Sequence, residues 1–240
     1  MKILILSAGL SYRDPERANA RPRLPIPVAP DVELVYRGLD RGSAGIEVCY
    51  DEYIGLVDMM EKGQKAQEEG FDAIVINCFF NPGMEGLREL LDIPIVGAGF
   101  AAIHIASLLG DNFSIIDTGP PHWPYAYRIT AAAGLSSKHN SVRTTNLSVA
   151  ELSADPDATI KRMIEAAVKA VEEDGANVIV FGCTGMRRYA ERIAEEMKKY
   201  GVPLVEPLSA AVNVAVALVR LGLSQSKVSY PVPPERKRVF

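Results

Sequence analysis

Short runs of β-branched and apolar residues alternate along this 240-residue chain with longer stretches of helical spacing. An apolar run bounded by glycine reads as a buried parallel strand, and apolar positions at i, i+3 and i+4 read as a helix. On that basis Lys2 to Ser7 and Val32 to Tyr36 are strands, and Tyr53 to Glu69 is a helix. Next come a strand ending at Cys78, a helix from about Gly83 to Leu91, a strand at Ile95-Val96 and a helix from Phe100 to Leu109. The second half repeats the plan. Phe113 to Ile116 is a strand, Trp123 to Ala133 is helical, and Ser141 to Thr145 is a weaker strand. Asp155-Pro156 opens a helix, an N-cap followed by proline at the first position. Its apolar stripe is Ile160, Met163, Ile164, Ala167, Val168 and Val171. A strand ending at Cys183, a helix from Met186 to Tyr200, a strand at Leu204-Val205 and a helix from Ser209 to Leu221 complete the pattern.

Two segments of this pattern are copies of one another. Gly70-Phe71-Asp72-Ala73-Ile74-Val75-Ile76-Asn77-Cys78 is echoed by Gly175-Ala176-Asn177-Val178-Ile179-Val180-Phe181-Gly182-Cys183. The echo continues from Ile93-Pro94-Ile95-Val96 to Val202-Pro203-Leu204-Val205, and from the alanine-rich helix at Ala101 to that at Ala210. Alternating strands and helices imply two parallel sheets with right-handed crossovers. Each cysteine falls at the C-terminal end of a strand, where open α/β sheets bind their ligands. A pseudo-symmetric pair of domains would bring the two thiols face to face across one cleft.

Composition narrows the class. About half of the residues are apolar, enough for a sizeable core, and the net charge of −4 is mild. No long basic stretch is present, which argues against nucleic acid as a partner. The apolar start, Ile3 to Leu6, is too short for a signal-peptide core, and no run approaches the roughly 20 residues that span a bilayer. Three cysteines, Cys49, Cys78 and Cys183, fit a reducing cytoplasm rather than a disulfide framework.

The paired cysteines are the candidates for chemistry. Removing a proton from a carbon beside a carbonyl needs a base held close and a stabilised oxyanion. A thiol is near neutrality already, and both cysteines precede helices, whose N-termini lower thiol pKa. Cys49, alone in a polar stretch, reads as structural. Thr184 and Gly185 follow Cys183 at a turn whose N–H groups form an anion site. After Cys78, Phe80 is placed to wall a pocket, and Asn81 either binds polar substrate atoms or caps the next helix. Thr118 and Ser7 end the first strands of the two halves and occupy matching places. His104, His122 and His139 lack metal-ligand spacing. His104, on an apolar helix, reads as structural, and His122 as a loop residue. No glycine-rich phosphate fingerprint follows the first strand, so no nucleotide cofactor is indicated. The Pro/Arg-rich loop from Ser11 to Pro30 reads as a solvated or subunit-contacting segment.

At these residues the chain resembles the aspartate/glutamate racemase superfamily, and within it the hydantoin racemase group, which includes allantoin racemase. The carrying segments are Cys78-Phe79-Phe80-Asn81-Pro82-Gly83-Met84, Gly182-Cys183-Thr184-Gly185-Met186, Tyr50-Asp51-Glu52, Ser107-Leu108-Leu109-Gly110 with Phe113-Ser114, and Leu221-Gly222-Leu223-Ser224. The resemblance implies two pseudo-symmetric four-stranded α/β domains, with the C-terminal helix returning to the first. The lobes would be residues 1–98 with 207–240, and 99–206, with the active site in the cleft between them. It also implies a cofactor-independent two-base mechanism, with Cys78 and Cys183 on opposite faces of the substrate. Asn81, Thr118, Thr184 and Gly185 carry over as the turn residues. The chain departs from the pattern at three places. Ser7-Ala8-Gly9-Leu10-Ser11 stands where hydantoin racemases carry an Asn-Pro-Asn-Thr-like segment. Phe80 and Asn81 replace a small residue and an acid, and Asp117 stands where a second threonine is usual.

The expectation is therefore a cytoplasmic racemase or epimerase that needs no cofactor or metal. It would act on a hydantoin-like or amino-acid-derived carbon acid, with a small molecule as its partner and no membrane or nucleic acid. A homo-oligomer stays open. Competing readings are a decarboxylase or cis–trans isomerase of the same fold and a non-catalytic two-lobe binding protein. The decarboxylase pattern retains only one of the two cysteines. A thiol-redox protein is disfavoured by the lack of a close CxxC pair.

Overall fold

The computed structural model describes residues 1–10, 26–119 and 123–237. His122 and most of the Pro/Arg-rich loop lie outside the described residues. Two four-stranded sheets, parallel throughout, organise the described chain. The first contains β1 (Lys2–Leu10), β2 (Glu33–Leu39), β3 (Ala73–Asn77) and β4 (Ile95–Gly97), in the order β2-β1-β3-β4. The second contains β5 (Phe113–Asp117), β6 (His139–Thr144), β7 (Ile179–Phe181) and β8 (Leu204–Val205), in the order β6-β5-β7-β8. The two orders are the same topology, which is what the internal repeat predicts. In each sheet the chain first steps one way from its opening strand and then the other. The crevice at that reversal lies at the C-terminal ends of β1 and β3 in one sheet and of β5 and β7 in the other. That is where such sheets take ligands.

The central strands form because their residues are buried on both faces. Ile3 to Leu6 and Ala73 to Ile76 are fully buried, as are Ile115, Ile116, Val180 and Phe181. Such continuous apolar runs suit strands covered on both sides. Before β3 and β7 the chain turns at Gly70 and Gly175, with φ of 77° and 72°. These are left-handed positions that glycine adopts at little cost. Matched glycines at matched turns are a second trace of the repeat.

The chain falls into two compact units. One comprises Met1–Asn77, Asn81–Gly97 and Val212–Phe240; the other comprises Cys78–Phe80 and Ala98–Ala211. In the first, α1 (Cys49–Ile54), α2 (Leu56–Glu68) and α3 (Met84–Leu90) accompany the sheet. Its C-terminal segment ties down α3 and β4. Lys227 Nζ donates to the carbonyls of Arg88, Glu89 and Leu91, at 3.0, 3.1 and 2.7 Å. Gln225 Oε1 accepts from the Ile95 N–H at 3.1 Å. In the second unit, α4 (Ala98–Leu109) and α5 (Trp123–Ala132) cover one face of the sheet, and α6 (Pro156–Glu172) and α7 (Ala190–Met197) cover the other. The last helix, α8 (Pro207–Arg220), begins in the second unit and passes into the first.

Two expected helices differ from the sequence reading. The stretch expected as one helix from Tyr53 to Glu69 is two, α1 and α2, broken at Gly55, whose backbone closes one and opens the next. A side chain at Gly55 would meet Leu39 Cδ1 at 2.8 Å, so the break comes with a close packing contact. The stretch from Met186 to Tyr200 is not one α-helix either. Thr184–Tyr189 is a 3₁₀ segment, Ala190–Met197 is α, and Lys198–Tyr200 is 3₁₀ again. Elsewhere the expected start at Asp155-Pro156 is observed, with Asp155 Oδ1 accepting the Ala158 N–H at 3.0 Å.

Candidate active site

Cys78 is the first residue after β3, and Cys183 stands two residues after the end of β7. These are equivalent strands of the two sheets. Both cysteines, like Cys49, are half-buried thiols rather than disulfides. Their local settings differ. Cys183 is extended and serves as N-cap of the Thr184–Tyr189 turn, with the Gly185 N–H donating to its Sγ at 3.3 Å. A donor aimed at sulfur favours the thiolate. Cys78 has no helix directly after it. Residues 79–83 intervene before α3, in keeping with the expected turn and helix from about Gly83, whereas Cys183 leads directly into a 3₁₀ turn.

The segment after Cys78 is fixed by packing. Phe79 is buried among Ala102, Ile103, Phe113 and Val180 of the second unit. Gly99 leaves room for the Phe79 carbonyl against the start of α4. Phe80 stacks on Tyr125 of α5, centroids 4.4 Å apart and rings inclined by 20°, and Arg128 lies 5.2 Å from the Tyr125 ring. The result is a half-exposed aromatic wall beside Cys78.

Asn81 does not cap the next helix. The N-cap of α3 is Gly83, with no side-chain cap bond. Asn81 instead adopts a φ of 55° and is buried, its side chain lying over the Cα of Gly97. A left-handed, buried asparagine is uncommon and is maintained only by its surroundings.

Ser7, in the first unit, is half-buried and accepts from Asn77 Nδ2 at 3.2 Å. Thr118, at the corresponding place in the second, is fully buried. Its N–H donates to Asp117 Oδ1 at 2.7 Å, and its carbonyl accepts from the Asn146 N–H at 3.0 Å and from Thr145 Oγ1 at 3.2 Å. Thr184 is half-buried and Gly185 exposed. His104 has the structural role expected of it, with Nδ1 2.7 Å from the Phe100 carbonyl and its ring against Phe100. Among the described residues no group of His, Cys, Asp and Glu side chains is arranged to hold a metal. Nor is any described helix long and apolar enough to cross a membrane.

Two half-buried groups, Glu52 and His139, have acidities perturbed chiefly by burial that the sequence does not signal. Burial, reinforced by the charge of Glu85, raises the Glu52 carboxyl above its ordinary range. Burial lowers the His139 imidazole, partly offset by the Ser141 carbonyl. Glu52 lies in the Tyr50-Asp51-Glu52 segment, and only its burial beside a second acid, which the sequence does not reveal, sets it apart.

The family model described as Asp/Glu/Hydantoin racemase matches residues 20–215. Hydantoin racemase of Paenarthrobacter aurescens is 38% identical over 199 residues, 82% of this chain and 83% of that protein. Hydantoin racemase of Pseudomonas sp. strain NS671 is 34% identical over 207 residues, 86% of this chain and 82% of that protein. Among solved structures, allantoin racemase from Pseudomonas fluorescens superimposes with a TM-score of 0.88 at 32% identity, covering 100% of both chains. With two like-ordered parallel sheets, a cysteine after the third strand of each and these relatives along most of its length, the chain belongs to the Asp/Glu/hydantoin racemase family and is an isomerase of that family.

Proposed function

We propose that this enzyme racemises or epimerises a hydantoin-like or amino-acid-derived carbon acid, with Cys78 and Cys183 as its acid and base. The observation that carries the reading is the equivalence of the two cysteines, each just past the same strand of two sheets with the same order. A racemase must take a proton from one face of a carbon and return one to the other, which calls for an acid/base group on each face. In one direction a thiolate removes the carbon-bound proton and becomes a thiol. The electron pair delocalises onto the adjacent carbonyl oxygen. The second thiol then protonates the opposite face of the carbon and becomes the thiolate. The reverse reaction exchanges the roles, so no cofactor or metal is consumed or required.

A hydantoin suits this chemistry because its reactive C–H lies beside a ring carbonyl, and the hydantoin and allantoin racemases named above favour that class. We assign the oxyanion to N–H groups of the Thr184–Gly185 turn, and contacts with the rest of the substrate to Ser7 and the Phe80 wall. Buried Asn81 and Thr118 are assigned to holding the turns that present those groups. The test is to incubate single enantiomers of 5-substituted hydantoins, allantoin, aspartate and glutamate with the purified enzyme and follow optical rotation. Loss of rotation for a hydantoin, unaffected by chelator and abolished by thiol alkylation, is the expected result. A requirement for added metal or pyridoxal phosphate would overturn the reading.

A further inference from the structure

Phe80 follows Cys78 by two peptide units, so at most about 7 Å separates their Cα atoms. Both residues are half-exposed, whereas Phe79 between them is buried among Ala102, Ile103, Phe113 and Val180. Phe80 packs on the margin of that same core. Its ring stacks on Tyr125 of α5, with centroids 4.4 Å apart and planes inclined by 20°. The helix beneath is held in turn. Ala126, next to Tyr125, is fully buried in the core, and Thr130 Oγ1 donates to its carbonyl at 3.0 Å. One turn further on, the Arg128 guanidinium lies 5.2 Å from the Tyr125 ring centroid, a cation–π contact. All of these residues belong to the second unit. A partly exposed aromatic surface is therefore in place, within reach of any molecule that reacts at Cys78, before that molecule arrives.

Such a surface discriminates between substituents. A phenyl or bulky alkyl group set against it leaves water, and an aromatic one gains ring–ring contact as well. A ureido group or a carboxylate set there loses its water partners, and the Phe80 ring has no hydrogen-bond donor or acceptor to replace them. Arg128 does little to reverse this for an anion. Its side chain is exposed and set against Tyr125, so solvent screens its charge.

We infer that Phe80, backed by Tyr125, is a specificity-determining residue. It favours substrates with an aromatic or bulky apolar group on the reacting carbon over those with a ureido or carboxylate-bearing group. The inference rests on the proposed reaction at Cys78, and its test reads binding apart from turnover so that either can fail alone. Single enantiomers of 5-benzylhydantoin, 5-methylhydantoin, 5-carboxymethylhydantoin and allantoin are followed by optical rotation with the wild type, Phe80→Ala, Phe80→Leu and Phe80→Tyr, folding being checked by circular dichroism. Wild-type kcat/KM is expected to be highest for the benzyl compound. The benzyl-to-methyl ratio should fall about tenfold in Phe80→Ala, mostly through KM, fall less in Phe80→Leu, and be retained in Phe80→Tyr. A merely structural role would lower all substrates alike and leave the ratio unchanged, and that result would overturn the inference, as would a wild-type preference for allantoin or the carboxymethyl compound. Should Phe80→Ala not fold, the ratio in Phe80→Leu decides in the same way. Protection of Cys78 from iodoacetamide, read by mass spectrometry, gives the half-protecting concentration of each compound without turnover. 5-Benzylhydantoin is expected to protect at about tenfold lower concentration than 5-methylhydantoin, and Phe80→Ala to lose that advantage. If no hydantoin is racemised, the proposed function has failed and protection alone decides the present inference. Equal protection by the two hydantoins, or none, would contradict it.

Discussion

Gly99→Ala is the substitution whose effect the structure specifies most closely. Gly99 is the second residue of α4 and is buried. A Cβ there would overlap the Phe79 carbonyl oxygen outright, lie 2.9 Å from its carbonyl carbon and meet Phe79 Cδ2 at 3.2 Å. The obstacle is backbone, so it cannot swing away as a side-chain tip can. Overpacking of this kind costs typically 1–3 kcal/mol, and a backbone obstacle belongs at the upper end. Alanine gains back up to about 1 kcal/mol over glycine in a helix. A net loss of about 2 kcal/mol follows, or roughly 4–8 °C in Tm for a chain of this size. Relief requires residue 79 to move, and Cys78 is its neighbour. With Cys78 in the role proposed above, displacing it by about 1 Å costs on the order of 100-fold in rate. Circular dichroism melting and racemase kinetics on Gly99→Ala should show both effects, with kcat falling more than KM rises. Gly45→Ala, where a Cβ would meet nothing within 4 Å, is the control and should stay within about 0.5 kcal/mol. A Gly99→Ala enzyme with wild-type Tm and kcat would refute the packing argument.

Two further outcomes are expected. Glu52 binds its proton more tightly folded than unfolded, so stability falls as pH rises from the ordinary carboxylate range through its raised value, and the penalty persists at neutral pH. Glu52→Gln should therefore raise Tm at pH 7 by roughly 1–2 °C, because a half-exposed carboxylate is partly screened, and the gain should vanish in acid, below the ordinary carboxylate range. Lys227→Met removes the ammonium that bonds three carbonyls at the end of α3, and should cost about 1–2 kcal/mol, read as a lower Tm and faster proteolysis of the C-terminal segment.

The strands and the repeat were legible because they depend on local pattern. Fully buried β-branched runs leave a clear signature, and the glycines at 70 and 175 mark the same turn twice. Local chemistry also announced the start of α6, where an Asp N-cap and a proline act within one turn. What the sequence did not reveal arises from contacts distant along the chain. The break at Gly55 depends on Leu39, and the 3₁₀ winding after Cys183 has no signal in residue spacing. Asn81 offers a polar side chain where a cap is plausible, yet its conformation is set by the space above Gly97. Phe79 and Phe80 are anchored by Val180 and Tyr125, about a hundred and about forty-five residues away, so their membership in the second unit is not readable from their neighbours.

The central claim is that two thiols divide the work, one for each face of the substrate carbon. It is tested most directly by proton exchange in D₂O on single enantiomers of a racemised substrate, followed by NMR, with Cys78→Ser and Cys183→Ser. Serine is a far weaker acid and base at neutral pH, so each variant should lose racemisation. Cys183→Ser, retaining Cys78, should still exchange the carbon-bound proton of one enantiomer with its configuration kept. Cys78→Ser should do the same for the other enantiomer only. If either variant racemises at close to the wild-type rate, or exchanges both enantiomers alike, another group carries the proton and the two-cysteine account is wrong.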